Sequence, residues 1–446
     1  MKKVVLFVCA FIFSLINFIS CKNNAEGSNN GTSTYEQNNV NALFVINPTE
    51  TKKKSGENWI TINYTPEVSA NILSVKTNAA LQSNGNAEFM PSIEHTVPYS
   101  TWNSESYSSK KVMSDRAAGT TKRATTYKLL EKKTIIDSMS NRNSVAKMVY
   151  EGEYCYVWTY NDESAEATLS AEEIKVFAEK FDVIYEKEIA LCGPKYDGNT
   201  VYDYAINPDK KISLMLCDIG QDAGRGTIYG YFQPGNYFDT NRMEIIFVDS
   251  FFAKREAASG ELFSTVAHEF NHLLNYCNKE LKYGLTQQSW YTEMLSMLCE
   301  DFFGEDLGLG DDDGVKQRLF YNFIKGSYIY GFGNWMSGGD HVSNNYANAY
   351  AFGAYLARNY GGAKLIHEIM TNKYVNEESV VKAVNKINGT SYSFKDLLKE
   401  FPLILINTKK QASDKPSLFK ATEDELSGIE GYTYKLKEID LGSVDD

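Results

Sequence analysis

The chain is poor in histidine and short of positive charge. Only 5 of its 446 residues are His, and its 45 Lys and Arg are outnumbered by 57 Asp and Glu, which gives a formal net charge of −12 at pH 7. Such an acidic chain argues against nucleic acid as a partner. With so few histidines, two that stand at a functional spacing seldom arise by chance.

Cysteine is scarce as well, with 7 residues in the whole chain. An exported protein can form disulfides. However, an odd number of cysteines remains once the N-terminal segment is set aside, and most of these lie in apolar stretches. We therefore predict free, buried thiols, and the sequence leaves any pairing open. The remaining cysteines are Cys155, Cys192, Cys217, Cys277 and Cys299.

Two of the histidines belong to a His-Glu-x-x-His motif at residues 268–272. Apolar residues recur around it from 262 to 277 at helical spacing, which predicts a largely buried amphipathic helix. Residues four apart share a helix face, so His268 and His272 can bind one Zn²⁺ through ring nitrogens. Glu269 flanks the metal and can polarise a zinc-bound water and carry its proton to a leaving amine. A buried helix that happens to carry two histidines is the alternative.

A catalytic zinc site needs a third protein ligand and one open position. Asn275 and Asn278 exclude the metzincin arrangement, which requires a Gly and a third His at these positions. The other common solution is a Glu on a second helix. Residues 290–301 predict such a helix, with Glu293 near its start. A Tyr-Gly turn between the two helices makes them antiparallel and brings Glu293 beneath the histidines.

The pairing of these two segments resembles the gluzincin metallopeptidases and, within them, the hyicolysin family of secreted bacterial zinc peptidases. That family shows a His-Glu-Phe-Gln-His helix followed by a Trp-x-x-Glu-Met-Leu-Ser segment, and the similarity covers residues 154–405. Asn271 stands where Gln is usual and Thr292 where Asn is usual, but neither departure replaces a metal ligand. The resemblance implies a zinc peptidase with an α+β, zincin-like (thermolysin-like) catalytic domain, which has a small mixed sheet and a helical C-terminal half.

The same resemblance implies how substrate binds. In relatives the last strand before the zinc helix lies along the cleft and pairs with an extended substrate, which assigns this role to Glu244, Ile245 and Ile246. A merely buried strand is the alternative. Zinc aminopeptidases capture the substrate amine with a Gly-x-Met-Glu-Asn strand, but here Asn241 replaces the Gly and Ile245 the Asn. This favours an endopeptidase. An aminopeptidase and a catalytically silent binding lipoprotein are the alternatives.

Gluzincins also supply a Tyr or His that stabilises the charge developing on the substrate carbonyl oxygen. The matching position in this chain is Tyr346, with Tyr350 and His341 as substitutes. His95 and His367 have no metal-ligand spacing to any partner, and we interpret both as structural.

The N-terminus predicts export. Two lysines precede an apolar run at residues 4–16, and the segment ends in Phe-Ile-Ser-Cys, which is similar to a bacterial lipobox with Cys21 as the lipidated residue. An ordinary cleaved signal or a short membrane helix is the alternative. The prediction is a bacterial lipoprotein held at the cell envelope or cell surface by its anchor.

The rest of the chain divides by composition. Polar stretches without apolar periodicity indicate a tether and a linker, and short runs of β-forming residues between them indicate a small module. The predicted domains are a lipoprotein signal peptide at 1–20, a flexible tether at 21–40, a β-rich module at 41–103, a linker at 104–126, the metallopeptidase domain at 127–412 and an acidic C-terminal tail at 413–446.

Overall fold

The computed structural model describes residues 3–7, 59–63, 126–196, 207–220, 228–237, 240–255, 260–308, 335, 341–405, 412–426 and 431–439. In these residues a mixed sheet comes first and helices form the C-terminal half, which confirms the predicted α+β class. Cys21, His95, the predicted tether and nearly all of the predicted linker lie outside the described residues. A separate antiparallel pair joins β1 (Lys3–Phe7) to β2 (Trp59–Asn63).

Six strands form the central sheet in the order β3-β4-β5-β6-β8-β7. The inner pairs β5–β6 and β6–β8 are parallel, whereas β3–β4, β4–β5 and β7–β8 are antiparallel. The edge strand on the side of the zinc-motif helix is therefore β7. The strands are β3 (Lys132–Asp137), β4 (Arg142–Glu151), β5 (Cys155–Tyr160), β6 (Ile212–Cys217), β7 (Gly230–Phe232) and β8 (Ile245–Asp249).

The central strands are apolar because both faces of the sheet are covered. β6 and β8 are buried at every position, as is typical of parallel strands. Side chains on one face, such as Leu214 and Ile246, join the main core with the helices. Those on the other face, such as Trp158 and Phe247, form a second, smaller core.

Helices cover one face of the sheet and make up the C-terminal half. The first begins at a capping box formed by Ser170 and Glu173. In the described part of the chain, no helix is both long and apolar enough to cross a membrane. The helices are α1 (Ala171–Cys192), α2 (Ser250–Arg255), α3 (Gly260–Asn275) with its π-helical extension Tyr276–Leu281, α4 (Ser289–Leu307), α5 (His341–Tyr360), α6 (Gly362–Thr371), α7 (Asn376–Asn388) and α8 (Phe394–Glu400).

The described part of the C-terminal segment packs on this body. β9 (Thr422–Glu425) and β10 (Thr433–Leu436) form an antiparallel ribbon. Tyr434 is buried, and its hydroxyl donates to the backbone oxygen of Lys187 at 2.7 Å. The Arg358 guanidinium donates to the backbone oxygen of Lys437 at 3.1 Å. The apolar positions that dock the ribbon alternate with charged ones, which gives the segment its polar composition.

The five cysteines of the body are buried and free of disulfides, as predicted.

Candidate metal centre

Three side chains from two helices meet at one buried point. Donor atoms of His268, His272 and Glu293 all lie within 4.8 Å of one another. Glu293 Oε2 is 3.0 Å from His268 Nε2 and 3.3 Å from His272 Nε2. All three side chains are almost completely buried. The structure therefore brings together the three residues that the sequence predicts as metal ligands.

His268, His272 and Glu293 come together because α3 and α4 pack antiparallel to each other. Along α4, Glu293 contacts both histidines and Ser296 lies beside His272, whereas Glu300, one turn further on, reaches back to His268 and Ser264. The two helices thus run in opposite directions with their polar residues in register. The surrounding positions of both helices are apolar and belong to the main core.

The histidine ring atoms that face away from Glu293 are also held. His268 Nδ1 is 2.7 Å from Glu300 Oε1, and His272 Nδ1 is 3.2 Å from Ser296 Oγ. A partner at Nδ1 fixes the ring orientation and directs Nε2 to the metal, as in many zinc sites. Neither group was predicted from the sequence. Their spacing was the available signal, since Ser296 and Glu300 stand three and seven residues after Glu293 and so share its helix face.

The charges in the centre depend on these contacts. Burial lowers the pKa of His268, but its contacts with Glu293 and Glu300 outweigh burial and raise that pKa to about 9. Burial raises the pKa of Glu293, but the two histidines outweigh it and lower that pKa to about 2. Burial lowers the pKa of His272. The centre therefore holds an ionised carboxylate beside His268, from which a metal would displace a proton, and beside His272, whose neutral form is favoured.

Glu269 lies beside this cluster and differs from Glu293 in its contacts. Its Oε2 accepts a hydrogen bond from the backbone N–H of Phe232 at 2.7 Å. Its Oε1 is buried and has no hydrogen-bond partner among the described residues. Burial raises the pKa of Glu269 to about 8, and the nearby Glu293 adds to this rise. One oxygen of this carboxylate is thus anchored, and the other is available to a proton.

The residues of the centre fit a zinc ion. Two imidazoles and one carboxylate are the donor set of many catalytic zinc sites. The centre buries three carboxyl groups, those of Glu269, Glu293 and Glu300, around two imidazoles. Burying this much potential negative charge is costly without a cation. A divalent cation at Glu293 offsets that cost.

The strand assigned to substrate pairing requires a correction. β8 is paired on both sides. Ile245 pairs with Ser213 of β6, and Ile246 pairs with Phe232 of β7. The backbone of β8 therefore has no open edge for a substrate strand. Edge position depends on strand order, which the local sequence pattern does not reveal. Among the described strands the edge belongs to β7, which packs against the zinc-motif helix α3.

The outer edge of β7 faces the candidate base. Asp249 N–H donates to Tyr229 O at 2.8 Å, so backbone groups of Tyr229 and Tyr231 point to β8. Those of Gly230 and Phe232 therefore point to the outer edge, where the Phe232 N–H reaches Glu269.

Glu244, Ile245 and Ile246 are all fully buried. The Glu244 carboxylate is 2.6 Å from Lys195 Nζ and also accepts hydrogen bonds from the backbone N–H of Asn207 and the hydroxyl of Tyr237. The contacts described for Glu244 are thus structural, and they lie outside the group formed by the histidines and Glu293. Ile245 and Ile246 point into the two opposite cores of the sheet.

Tyr346 lies near the metal centre. It is buried in α5, its ring centroid is 6.4 Å from that of His268, and Trp335 packs against it at 5.2 Å. Tyr350, one turn later, donates to Asp301 instead. His341 begins α5.

His367 has the structural role expected of it. Its Nδ1 lies 2.9 Å from the backbone oxygen of Leu191, at the end of α1.

The similarity of this chain to known proteins is distant. No protein-family model matches the chain. The neutral metalloprotease ShpI of Staphylococcus hyicus is 26% identical over 296 residues, which cover 63% of this chain and 63% of that protein. The chain is a distant homologue of a metalloprotease. A solved variant of the M1 zinc metallopeptidase from Deinococcus radiodurans aligns with 61% of this chain and 52% of its own at 14% identity, with a TM-score of 0.31, which is too low to carry an argument.

Proposed function

We propose that the chain is a zinc-dependent endopeptidase. His268, His272 and Glu293 hold one Zn²⁺, and Glu269 acts as general base and general acid. The observation that carries this proposal is the convergence of both Nε2 atoms on Glu293, with both Nδ1 atoms held from behind. The distant homology to a metalloprotease supports it.

The metal and the base have separate tasks. Zn²⁺, when bound, acts as a Lewis acid that polarises the scissile carbonyl and acidifies water. Glu269 Oε1 takes the proton from the attacking water and later delivers it to the leaving amine. The Phe232 N–H holds Glu269 Oε2 in place, so the carboxylate keeps one orientation through both transfers. Tyr346 is the proposed donor to the developing oxyanion.

The substrate lies in extended form along β7. No described strand pairs with the outer edge of β7, so the substrate strand would pair there with the backbone groups of Gly230, and the neighbouring Phe232 N–H marks the position of the base. Endopeptidase activity is favoured over aminopeptidase activity because the carboxylate that would bind a substrate amine, that of Glu244, already pairs with Lys195.

Mass spectrometry of the products from an unfolded protein tests the proposal. We expect zinc-dependent internal cuts by the wild type and none by Glu269→Gln, which keeps its metal. Glu305→Gln is the control, because Glu305 is an exposed carboxylate on α4. Stepwise loss of N-terminal residues would establish the aminopeptidase instead. Bound zinc without any cleavage would favour the binding lipoprotein.

We further propose that the protein is exported and anchored through a lipid on Cys21, on the strength of the apolar run and the Phe-Ile-Ser-Cys sequence. Detergent phase partitioning of the protein expressed in bacteria tests this. The wild type should enter the detergent phase and Cys21→Ser should remain in the aqueous phase. Equal partitioning of the two would contradict the anchor.

A further inference from the structure

A second group of metal-binding side chains lies behind the first. Glu188 and Cys192 stand one turn apart on α1, and Cys299 faces them from α4, next to Glu300. Their donor atoms all lie within 4.8 Å of one another, and all three side chains are fully buried. None of them has a role in the proposed peptidase chemistry.

The carboxylate of Glu188 is the feature that requires a ligand. Neither of its oxygens accepts a well-formed hydrogen bond among the described residues, although the side chain is 0% exposed; the Asn271 amide and the Cys299 thiol are the polar groups that act on it. Burial raises the pKa of Glu188, and also that of the Cys299 thiol, well above their usual values. A buried carboxyl group without a partner is costly. A cation bound between it and the two sulfurs removes that cost.

The two sulfurs have the separation that a tetrahedral metal requires. Cys192 Sγ and Cys299 Sγ are 3.7 Å apart. Two thiolates on one zinc ion, each at about 2.3 Å, stand about 3.8 Å apart when the angle is tetrahedral. A disulfide bond would require a sulfur–sulfur distance of about 2.05 Å. The sulfur positions therefore suit a bridging ion without a change of backbone.

A neighbouring amide is oriented as a partner for thiolates. Asn271 Nδ2 lies 3.2 Å from Cys192 Sγ and 3.1 Å from Cys299 Sγ, so one amide group donates to both sulfurs. Donors of this kind tune and orient metal-bound thiolates. Asn271 Oδ1 accepts from Ser296 Oγ, which contacts His272. The same amide thus links this group to the first centre.

We propose that Glu188, Cys192 and Cys299 form a second, structural metal site that takes Zn²⁺. Two thiolates and a carboxylate select a thiophilic, borderline-soft divalent ion over Mg²⁺ or Ca²⁺. The three side chains supply three donors, and their full burial leaves no open path for substrate, as expected of a structural site. The ion ties the end of α1 to the middle of α4, behind the helix that carries the zinc motif.

Metal content and the cobalt spectrum of the full chain test this proposal. The wild type, expressed with zinc, should hold about two ions per chain. The same chain expressed with Co²⁺ should show the intense near-ultraviolet band of sulfur-to-cobalt charge transfer. Cys192→Ser/Cys299→Ser should hold about one ion and lose the band. The matched control is Cys155→Ser/Cys217→Ser, which also removes two buried thiols and should keep both ions and the band.

Two further measurements do not depend on the folding of the cysteine variants. His268→Ala should lose the ion of the first centre but keep the sulfur-to-cobalt band, which separates this proposal from the proposed function. A thiol count on the denatured, unreduced wild type should find Cys192 and Cys299 as free thiols. A wild type with one ion and no band overturns the proposal, as does a disulfide between these two cysteines.

Discussion

Both candidate zinc-binding histidines are held from behind by residues of the same helix that supplies the third ligand. Glu293, Ser296 and Glu300 follow one another along one face of α4, and each contacts a different part of the imidazole pair. Loss of an orienting group weakens a metal site without removing a ligand. The contribution of Glu300 can therefore be measured separately from that of Glu293.

We predict that Glu300→Gln lowers zinc affinity by about 10–100-fold while the folded structure is kept. The amide can still contact His268 Nδ1, but it no longer carries the negative charge that raises the basicity of the imidazole. Competition with a chromogenic chelator measures the affinity. Glu305→Gln, on the exposed side of the same helix, should bind zinc as the wild type does. Equal affinities for Glu300→Gln and the wild type would show that this carboxylate is only a packing residue.

At the scale of elements, the close contact between β7 and α3 sets the distance from the substrate edge to the base. A Cβ atom added at Gly230 would lie 2.9 Å from Thr265 Cγ2 and 3.0 Å from the backbone oxygen of Phe247. Both distances are too short for an unchanged structure. Only a residue without a side chain allows β7 to lie this close to the helix.

We predict that Gly230→Ala moves β7 away from α3 and lowers kcat/KM by roughly 10–100-fold with zinc content unchanged. The physical reason is that Glu269 loses the hydrogen bond from Phe232 and its fixed position. Steady-state kinetics on a fluorogenic peptide measures the loss. Gly235→Ala is the control, because its nearest neighbours would be an acceptable 3.8 Å away. Wild-type kinetics for Gly230→Ala would contradict the role of this contact.

A second element-scale contact joins the extension of the zinc-motif helix to the end of α6. Lys279 Nζ donates to the backbone oxygens of Ile369, Asn372 and Tyr374 and to the side chain of Asn372, at 2.6–3.1 Å. The lysine is fully buried, and burial lowers its pKa to about 7. The unfolded chain keeps this lysine protonated up to about pH 10.4.

We predict that Lys279 makes the protein more stable as the pH rises from 7 to 9. Because the folded lysine loses its proton around pH 7, the unfolded chain binds up to one proton more than the folded chain in this range, so the free energy of unfolding increases with pH. Urea denaturation of the wild type and Lys279→Met at both pH values measures the effect, and the other titrating groups cancel in the difference. A difference that is independent of pH would show that the surrounding oxygens keep the ammonium charged.

Local patterns were sufficient for the two helices of the metal centre but not for the sheet edge. The spacing of His268 and His272 and the apolar stripe around Glu293 depend on helix periodicity, which the sequence shows directly. Whether β7 or β8 lies at the edge of the sheet depends on which strands pair. Both segments have the composition of buried strands, so their sequences do not show which one is at the edge. Glu300 was missed because its spacing from Glu293 shows only that the two share a helix face, whereas its contact with His268 Nδ1 depends on the packing of the opposite helix.

At the scale of the whole molecule, α4 lies at the centre of the helical half. It contacts α3 through the metal centre, α5 through Gly353 and the ribbon through Tyr434. Asp301, near its end, pairs with the buried Arg358 of α5 at 3.0 Å. Any ligand that fixes α4 against α3 therefore stabilises contacts well beyond the centre itself.

Metal binding and folding should consequently be coupled. An ion that binds only the folded chain at a concentration of 100 times Kd adds about 2.7 kcal/mol to the free energy of unfolding. For a body of this size that corresponds to a change in Tm of about 4–5 °C. The buried carboxylates of Glu269, Glu293 and Glu300 increase the effect, because without a cation their charges must be neutralised by protons or remain unfavourable.

We predict that chelation of the first centre lowers Tm by about 4–5 °C and that added zinc restores it. Thermal unfolding of the wild type and His272→Ala, each with chelator and with zinc, isolates this centre because the variant retains every other metal-binding group. The zinc-dependent rise in Tm should be smaller in the variant by the contribution of the first centre. An identical rise in both proteins would mean that the convergence of His268, His272 and Glu293 does not bind zinc.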